Sequence, residues 1–189
     1  MSDDVYGLRT MESQGRVLDI GAYIGEFARE CMKRWPDCHV VSIEPSRDMA
    51  ESICLNMAVY GDRFRLFEGA LSPGVGPVYF TKDVRNDGAS HTRTTDGVPV
   101  NGFSLSAVLR MAGWDSVDLI KCDAEGAELF LFDSPSIIRA KVVVFEYHCW
   151  MNRRVPWEQF AEKHADLWKM ELMAPPDPGG QCVVRAKRK

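Results

Sequence analysis

An acid and two glycines stand where a short apolar strand turns into a helix, in the stretch Val17–Ala28. Asp19 lies at the carboxyl end of the strand, and Gly21 and Gly25 follow in the spacing Asp-x-Gly-x-x-x-Gly. Glycines at such a turn let backbone come close to a bound ligand, and the acid can accept hydrogen bonds from a cationic or hydroxylated group. The three-glycine pattern Gly-x-Gly-x-x-Gly is absent, and with it the extra backbone donors that a pyrophosphate needs at a helix start. A nucleoside-bearing cofactor without phosphate therefore suits the turn better. That points to S-adenosylmethionine ahead of NAD.

Further acids recur at the ends of the later strand patterns. Glu44 follows Gly25 by 19 residues and can accept both hydroxyls of a ribose. Glu68 closes a third strand, and Gly69, Ala70 and Leu71 after it leave room for a flat adenine. Asp123 and Glu146 close two more, with His148 just beyond. Five carboxylates on one rim are costly to desolvate without a ligand or partner. Where a hydroxyl must lose its proton during alkylation, the candidate bases are Asp123, Glu146, His148 and His91. His148 beside Glu146 would titrate near neutrality, or would serve as a packed histidine that orients Glu146. Asp123, Glu125, Glu128 and Glu146 supply enough oxygens for Mg²⁺. Glu125 and Glu128 also suit a helix start without a metal, so Mg²⁺ is admissible but not favoured. Lys121 is read as facing away from Asp123.

The elements that would position these residues alternate between strand and helix. Strands are expected at Arg16–Ile20, His39–Ile43, Phe64–Phe67, Val78–Thr81, Val117–Cys122 and Lys141–Tyr147. Helices are expected at Gly25–Arg34, from Arg47 to Tyr60 with Gly61 as the stop, from Ser104 or Ser106 to Ala112, at Gly126–Phe132 and at Trp157–Leu167. Residues 83–102 are rich in Asn, Asp, Gly, Ser and Thr, which reads as a long loop and a candidate lid carrying Ser90 and His91. Two closing strands, Lys169–Met173 and Cys182–Ala186, flank a proline- and glycine-rich turn. This order predicts a mostly parallel sheet with helices on both faces and an antiparallel edge hairpin, in a single domain over residues 1–189 with its core at about 15–187.

Composition narrows the partners. The chain has 189 residues, 46% of them hydrophobic, and a net charge of −4. That balance gives no general drive toward nucleic acid or an anionic membrane. The basic end, Arg185 to Lys189, reads as a solvated tail. Six cysteines are scattered without a Cys-x-x-Cys pair, and Cys54, Cys122 and Cys182 sit in apolar stretches as small hydrophobes. A reducing, cytoplasmic setting is the expectation, without signal peptide or membrane span. Trp114, Trp150, Met151 and Trp157 could give an aromatic wall for a sugar, but at these spacings core packing is the default.

The ordered motifs Asp19-Ile-Gly-Ala-Tyr-Ile-Gly-Glu-Phe, Ser42-Ile-Glu-Pro-Ser, Gly69-Ala-Leu-Ser, Asp118-Leu-Ile-Lys-Cys-Asp-Ala-Glu-Gly-Ala-Glu and Val144-Phe-Glu-Tyr-His carry a family resemblance. Over roughly Arg16 to His148 the chain resembles the FkbM family of S-adenosylmethionine-dependent methyltransferases, and Asn56 and Ser90 fall where that family tends to carry Asn and Ser. The resemblance implies a Rossmann-like class I methyltransferase fold with a seven-stranded sheet. It also implies methylation of a hydroxyl on a sugar or secondary metabolite, with S-adenosylhomocysteine as product. Asp19, Gly21, Ala22, Tyr23 and Gly25 would line the methionine end of the cofactor. Glu44 and Pro45 would hold the ribose, Gly69 and Ala70 would border the adenine, and Asp123 would face sulfonium and acceptor. The acceptor would be a small molecule or glycan, and oligomerisation is left open. The competing reading is a module that binds the cofactor without catalysis and regulates a partner.

Overall fold

The computed structural model describes residues 4–81, 97–148, 155–178 and 181–189, and residues 91–93 by their backbone alone. Its principal sheet has seven strands in the order β10-β11-β9-β8-β1-β2-β3. These are β1 (Arg16–Ile20), β2 (His39–Glu44), β3 (Phe64–Glu68), β8 (Val117–Cys122), β9 (Ala140–Tyr147), β10 (Trp168–Leu172) and β11 (Cys182–Arg188). All neighbours pair in parallel except β11, which runs against both β9 and β10. The expected mostly parallel seven-stranded sheet with an antiparallel edge hairpin is therefore the observed one.

Both faces of the sheet are covered, which is why the central strands read as near-continuous apolar runs. On one face Val17, Leu119 and Val144 pack against Phe27, Ala28 and Cys31 of α1 (Glu26–Arg34) and Ile53 and Met57 of α2 (Arg47–Met57). On the other, Leu18, Ile120 and Val143 meet α3 (Leu105–Ala112), α4 (Glu128–Phe132) and α5 (Trp157–His164) through residues such as Leu109, Phe132 and Phe160. Strand periodicity of two puts Asp19, Lys121, Asp123 and Glu146 on the α1 face, in line with Val17, Leu119 and Val144. The cap of α3 follows its sequence. Ser104 Oγ accepts from the Ala107 N–H at 3.2 Å, and Gly113 ends the helix at φ 72°.

Several expectations need correction. Residues 83–102 are not one loop, because Val98–Phe103 forms β7 and His91–Arg93 forms β6. With β4 (Ala70–Leu71) and β5 (Gly76–Thr81) they make a second, four-stranded sheet in the order β4-β7-β5-β6. Val98, Val100 and Phe103 suit a strand, and pairing with β5 outweighs the loop-like composition. Ser90, the side chain of His91, Trp150 and Met151 lie outside the described residues. Cys54 is exposed, since α2 turns Ala50, Ile53 and Met57 inward and leaves it on the solvent side. The helix expected at Gly126 begins at Glu128, because Glu125 and Gly126 both adopt positive φ, 44° and 98°.

Candidate active site

At the carboxyl ends of β1, β2 and β8, between the two sheets, lies a cavity of about 330 Å³. That is the size of a small-molecule site, in the crevice where parallel sheets bind ligands. Gly21, Tyr23, Glu44, Pro45, Gly69, Ala70 and Asp123 line it. Asp19, Ala22, Gly25, Glu146 and His148 are not in its wall.

The first wall is the turn after β1. The Gly21 and Ala22 N–H groups both donate to the Ile43 carbonyl, at 3.0 and 3.2 Å. The Tyr23 N–H donates to Glu44 Oε2 at 2.8 Å, and the Gly25 N–H to the Ala22 carbonyl at 2.8 Å. These four backbone donors are thus engaged within the protein. Glycine is required at position 21, with φ at 75°, since a Cβ there would lie 1.9 Å from the Asp123 carbonyl oxygen. The β1 and β8 ends can touch only without that side chain. Asn56, outside the cavity, steadies the same turn by donating its amide to the Ile24 carbonyl at 2.9 Å.

Glu44 joins this turn to the second wall. Its Oε1 accepts from the Ser46 N–H at 2.9 Å, while Oε2 holds Tyr23. Each carboxylate oxygen keeps a second lone pair. Burial pushes the Glu44 carboxyl up, against the opposing pull of these two N–H groups. Gly69 packs against β7, where a Cβ would meet the Asn101 carbonyl at 2.3 Å. Glu68 is exposed and stays outside the cavity wall. Met49, Leu71 and Phe80 complete an apolar side. Phe80 comes from the second sheet, which the composition of its surroundings concealed.

Lys121 corrects our reading of the third wall. Its Nζ lies 3.3 Å from Asp19 Oδ1 and 3.9 Å from Asp123 Oδ2, and donates to the Gly21 carbonyl at 2.5 Å. Residues two apart on a strand share a face, so Lys121 points with Asp123, and it is also the register partner of Asp19. Burial disfavours the ammonium, but Asp19 and Asp123 more than offset that and hold its pKa up. Burial pushes the fully buried Asp19 carboxyl up, opposed by Lys121.

Asp123 and Glu146 form an acid pair with unequal environments, one oxygen of each within 4.8 Å of the other. Burial works against the Asp123 carboxylate, but Lys121, Glu146 and Tyr6 together hold its pKa below the usual range. The Tyr6 hydroxyl donates to Asp123 Oδ2 at 3.0 Å. Burial and the Asp123 charge push Glu146 up to about 7. The Gln181 side-chain amide donates to Glu146 Oε1. Of the two, Asp123 is the stronger acid and Glu146 the weaker. Neither Tyr6 nor Gln181 was singled out from sequence, and no local motif marks either.

His148 is buried among three glutamates. Its Nδ1 lies 3.0 Å from Glu128 Oε1, and its Nε2 lies 3.5 Å from Glu125 Oε2 and 3.8 Å from Glu146 Oε2. Burial disfavours the charged ring, but Glu128, Glu125 and Glu146 outweigh it and raise the pKa to about 9. The ring is then an imidazolium at neutral pH, with no lone pair to accept a proton. One ligand atom each from Asp123, Glu146 and His148 fall within 4.8 Å of one another, a spacing that could hold a metal ion. Among the described residues no helix is long and apolar enough to cross a membrane.

The family model described as the methyltransferase FkbM domain matches residues 19–171. Among solved structures, the chain is similar to methyltransferase FkbM from Methylobacillus flagellatus, at 15% identity and a TM-score of 0.62. That match covers 95% of this chain and 45% of the other, so this chain spans under half of that protein's length. The precorrin-6y C5,15-methyltransferase from Geobacter metallireducens is similar at 12% identity and a TM-score of 0.55, covering 95% and 82% of the two chains. The O-methyltransferase TomG from Streptomyces achromogenes, solved in complex with SAM, is similar at 15% identity and a TM-score of 0.54, covering 94% and 74%. Likenesses at these identities show the shared Rossmann-like class I methyltransferase fold. No curated protein sequence matches the chain.

Proposed function

The chain belongs to the FkbM methyltransferase family, and from that premise we propose that it methylates a hydroxyl of a sugar or secondary metabolite, with S-adenosylmethionine as donor. The observation that carries this reading is the engagement of the Gly21, Ala22, Tyr23 and Gly25 N–H groups within the protein. A pyrophosphate cofactor needs free backbone donors at this turn, and a donor without phosphate does not. S-adenosylmethionine, when bound, supplies a methyl group on a cationic sulfonium, and leaves as S-adenosylhomocysteine.

The residues divide the remaining tasks. Glu44 would accept the ribose hydroxyls with its second lone pairs, while Pro45 shapes the wall beside it. Gly69 and Ala70, with Leu71, Met49 and Phe80, would enclose the adenine. Asp123, kept ionised, would face the cationic end of the donor. Glu146 would take the acceptor proton, because a base is most effective when its pKa lies near the working pH. His148 would set the charge beside Glu146. Asp19, Ala22 and Gly25 would shape the turn. The acid pair is served by hydrogen bonds from Tyr6 and Gln181 and by the His148 charge, which supports proton chemistry ahead of a metal centre. Five described cysteines are free thiols, four of them buried, which supports a reducing, cytoplasmic setting.

Incubation with methyl-labelled S-adenosylmethionine and a panel of sugars, phenols and aliphatic alcohols tests the activity. Label in an ether product is the expected result. Donor binding without transfer to any member would favour the regulatory module, and transfer only to amines would overturn O-methylation.

A further inference from the structure

The family match covers residues 19–171, yet two side chains from outside it converge on the acid pair. Tyr6, ahead of β1, donates to Asp123 Oδ2 at 3.0 Å, and Gln181, in the closing hairpin, donates to Glu146 Oε1. The segment that carries Tyr6 is anchored along its length. Asp4 Oδ1 accepts from the Leu8 N–H at 2.7 Å, Leu8 is buried, and Thr10 Oγ1 accepts from Arg185 Nη1 at 3.0 Å. The Tyr6 ring packs edge-on against Phe27, with centroids 5.5 Å apart at 87°, and Lys121 Nζ lies 6.0 Å from its centroid. Phenylalanine would fill that space equally well. The hydroxyl adds nothing to the packing and is costly to desolvate unless it serves a partner. Its partner is the Asp123 carboxylate.

We propose that Tyr6 is a positioning residue of the donor site: the segment before β1 holds the Asp123 carboxylate at the cavity through the Tyr6 hydroxyl. This rests on the donor reading given above. Asp123 faces Lys121 from its own strand, Glu146 from β9, His148 just beyond β9, Glu125 from the following turn and Asp19 across Lys121 from β1. Against that background the hydroxyl favours the ionised form of Asp123, the form a cationic donor needs. The family domain alone does not supply this contact.

Tyr6→Phe keeps the ring and removes only the hydroxyl. A carboxyl-carbon NMR titration of Asp123 in the protein without donor should show its midpoint raised by about one pH unit in Tyr6→Phe. Calorimetric titration with S-adenosylmethionine from about pH 3 to about pH 8 should show an affinity about 2–10-fold weaker in Tyr6→Phe at the upper end, where Asp123 is ionised in both proteins and only its placement differs. On acidification the loss of affinity should begin about one pH unit higher in the variant. In an Asp123→Asn background, Tyr6→Phe should change nothing further. Superimposable titrations of Asp123 in wild type and Tyr6→Phe would overturn the proposal. A wild-type protein that shows the NMR shift but never binds S-adenosylmethionine would refute the donor reading instead, and with it the donor-site role of Tyr6.

Discussion

The Lys121 ammonium lies 3.3 Å from the Asp19 carboxylate, and both side chains are shut away from solvent. The pair joins the carboxyl ends of β1 and β8, and the same ammonium donates to the Gly21 carbonyl. It thereby ties the glycine turn to the strand that carries Asp123. Neither Asp19 nor Lys121 lines the cavity, but Lys121 contacts Gly21 and Asp123, which do.

Removing one partner of a buried ion pair leaves an uncompensated charge, which typically costs about 3–5 kcal/mol. Lys121→Met should therefore destabilise the protein by that order, read from urea unfolding. The double variant Asp19→Asn, Lys121→Met should recover much of the loss, since the Asp19 charge is then not stranded and Asp123 keeps the Tyr6 hydroxyl. A single variant costing under about 1 kcal/mol would show that the pair does not hold the two strands together.

Asp19, Gly21, Glu44 and the acids at the ends of β8 and β9 were legible because their signals are local. An apolar run fixes a strand, and whatever follows it stands at the sheet's rim. Lys121 is equally legible, since residues two apart on a strand share a face and it stands two before Asp123. The second sheet was hidden by Asn, Gly and Thr between short valine alternations, whose pairing is a tertiary outcome. Tyr6, Phe80 and Gln181 could not be found by pattern. Their place in the site depends on chain crossings of up to 117 positions, which no local motif records.

Burial and the neighbouring Asp123 charge raise the Glu146 pKa to about 7. As the proposed base, Glu146 works only when deprotonated, so turnover should rise as pH increases through about 7. Glu146→Gln should lower turnover by ~10²–10⁴-fold while donor affinity stays within a few-fold. Initial rates with a reactive acceptor from the hydroxyl panel measure both. A flat pH profile and undiminished turnover in the variant would remove Glu146 from the chemistry.

The raised pKa of His148 also governs stability. A histidine whose folded pKa lies near 9 stabilises the fold fully below its unfolded value of about 6.5, and that contribution is lost as pH rises through about 9. Glu146 acts in the same direction over a lower window, because the folded state holds its proton from about 4.5 up to about 7. The unfolding free energy, read from urea titrations, should therefore fall between about pH 6.5 and about pH 9, by up to ~3 kcal/mol from His148. His148→Gln should lose most of that slope. A stability that climbs across this range in the wild type would contradict the glutamate-caged imidazolium.

The central claim, a phosphate-free nucleoside donor held against Glu44, is tested most directly by calorimetric titration with S-adenosylmethionine and with NADH. Wild-type protein should bind S-adenosylmethionine and not NADH. Glu44→Gln should weaken S-adenosylmethionine by about 10-fold or more, since the amide cannot accept at both ends. Binding of NADH in preference to S-adenosylmethionine, or unchanged S-adenosylmethionine affinity in Glu44→Gln, would contradict the account.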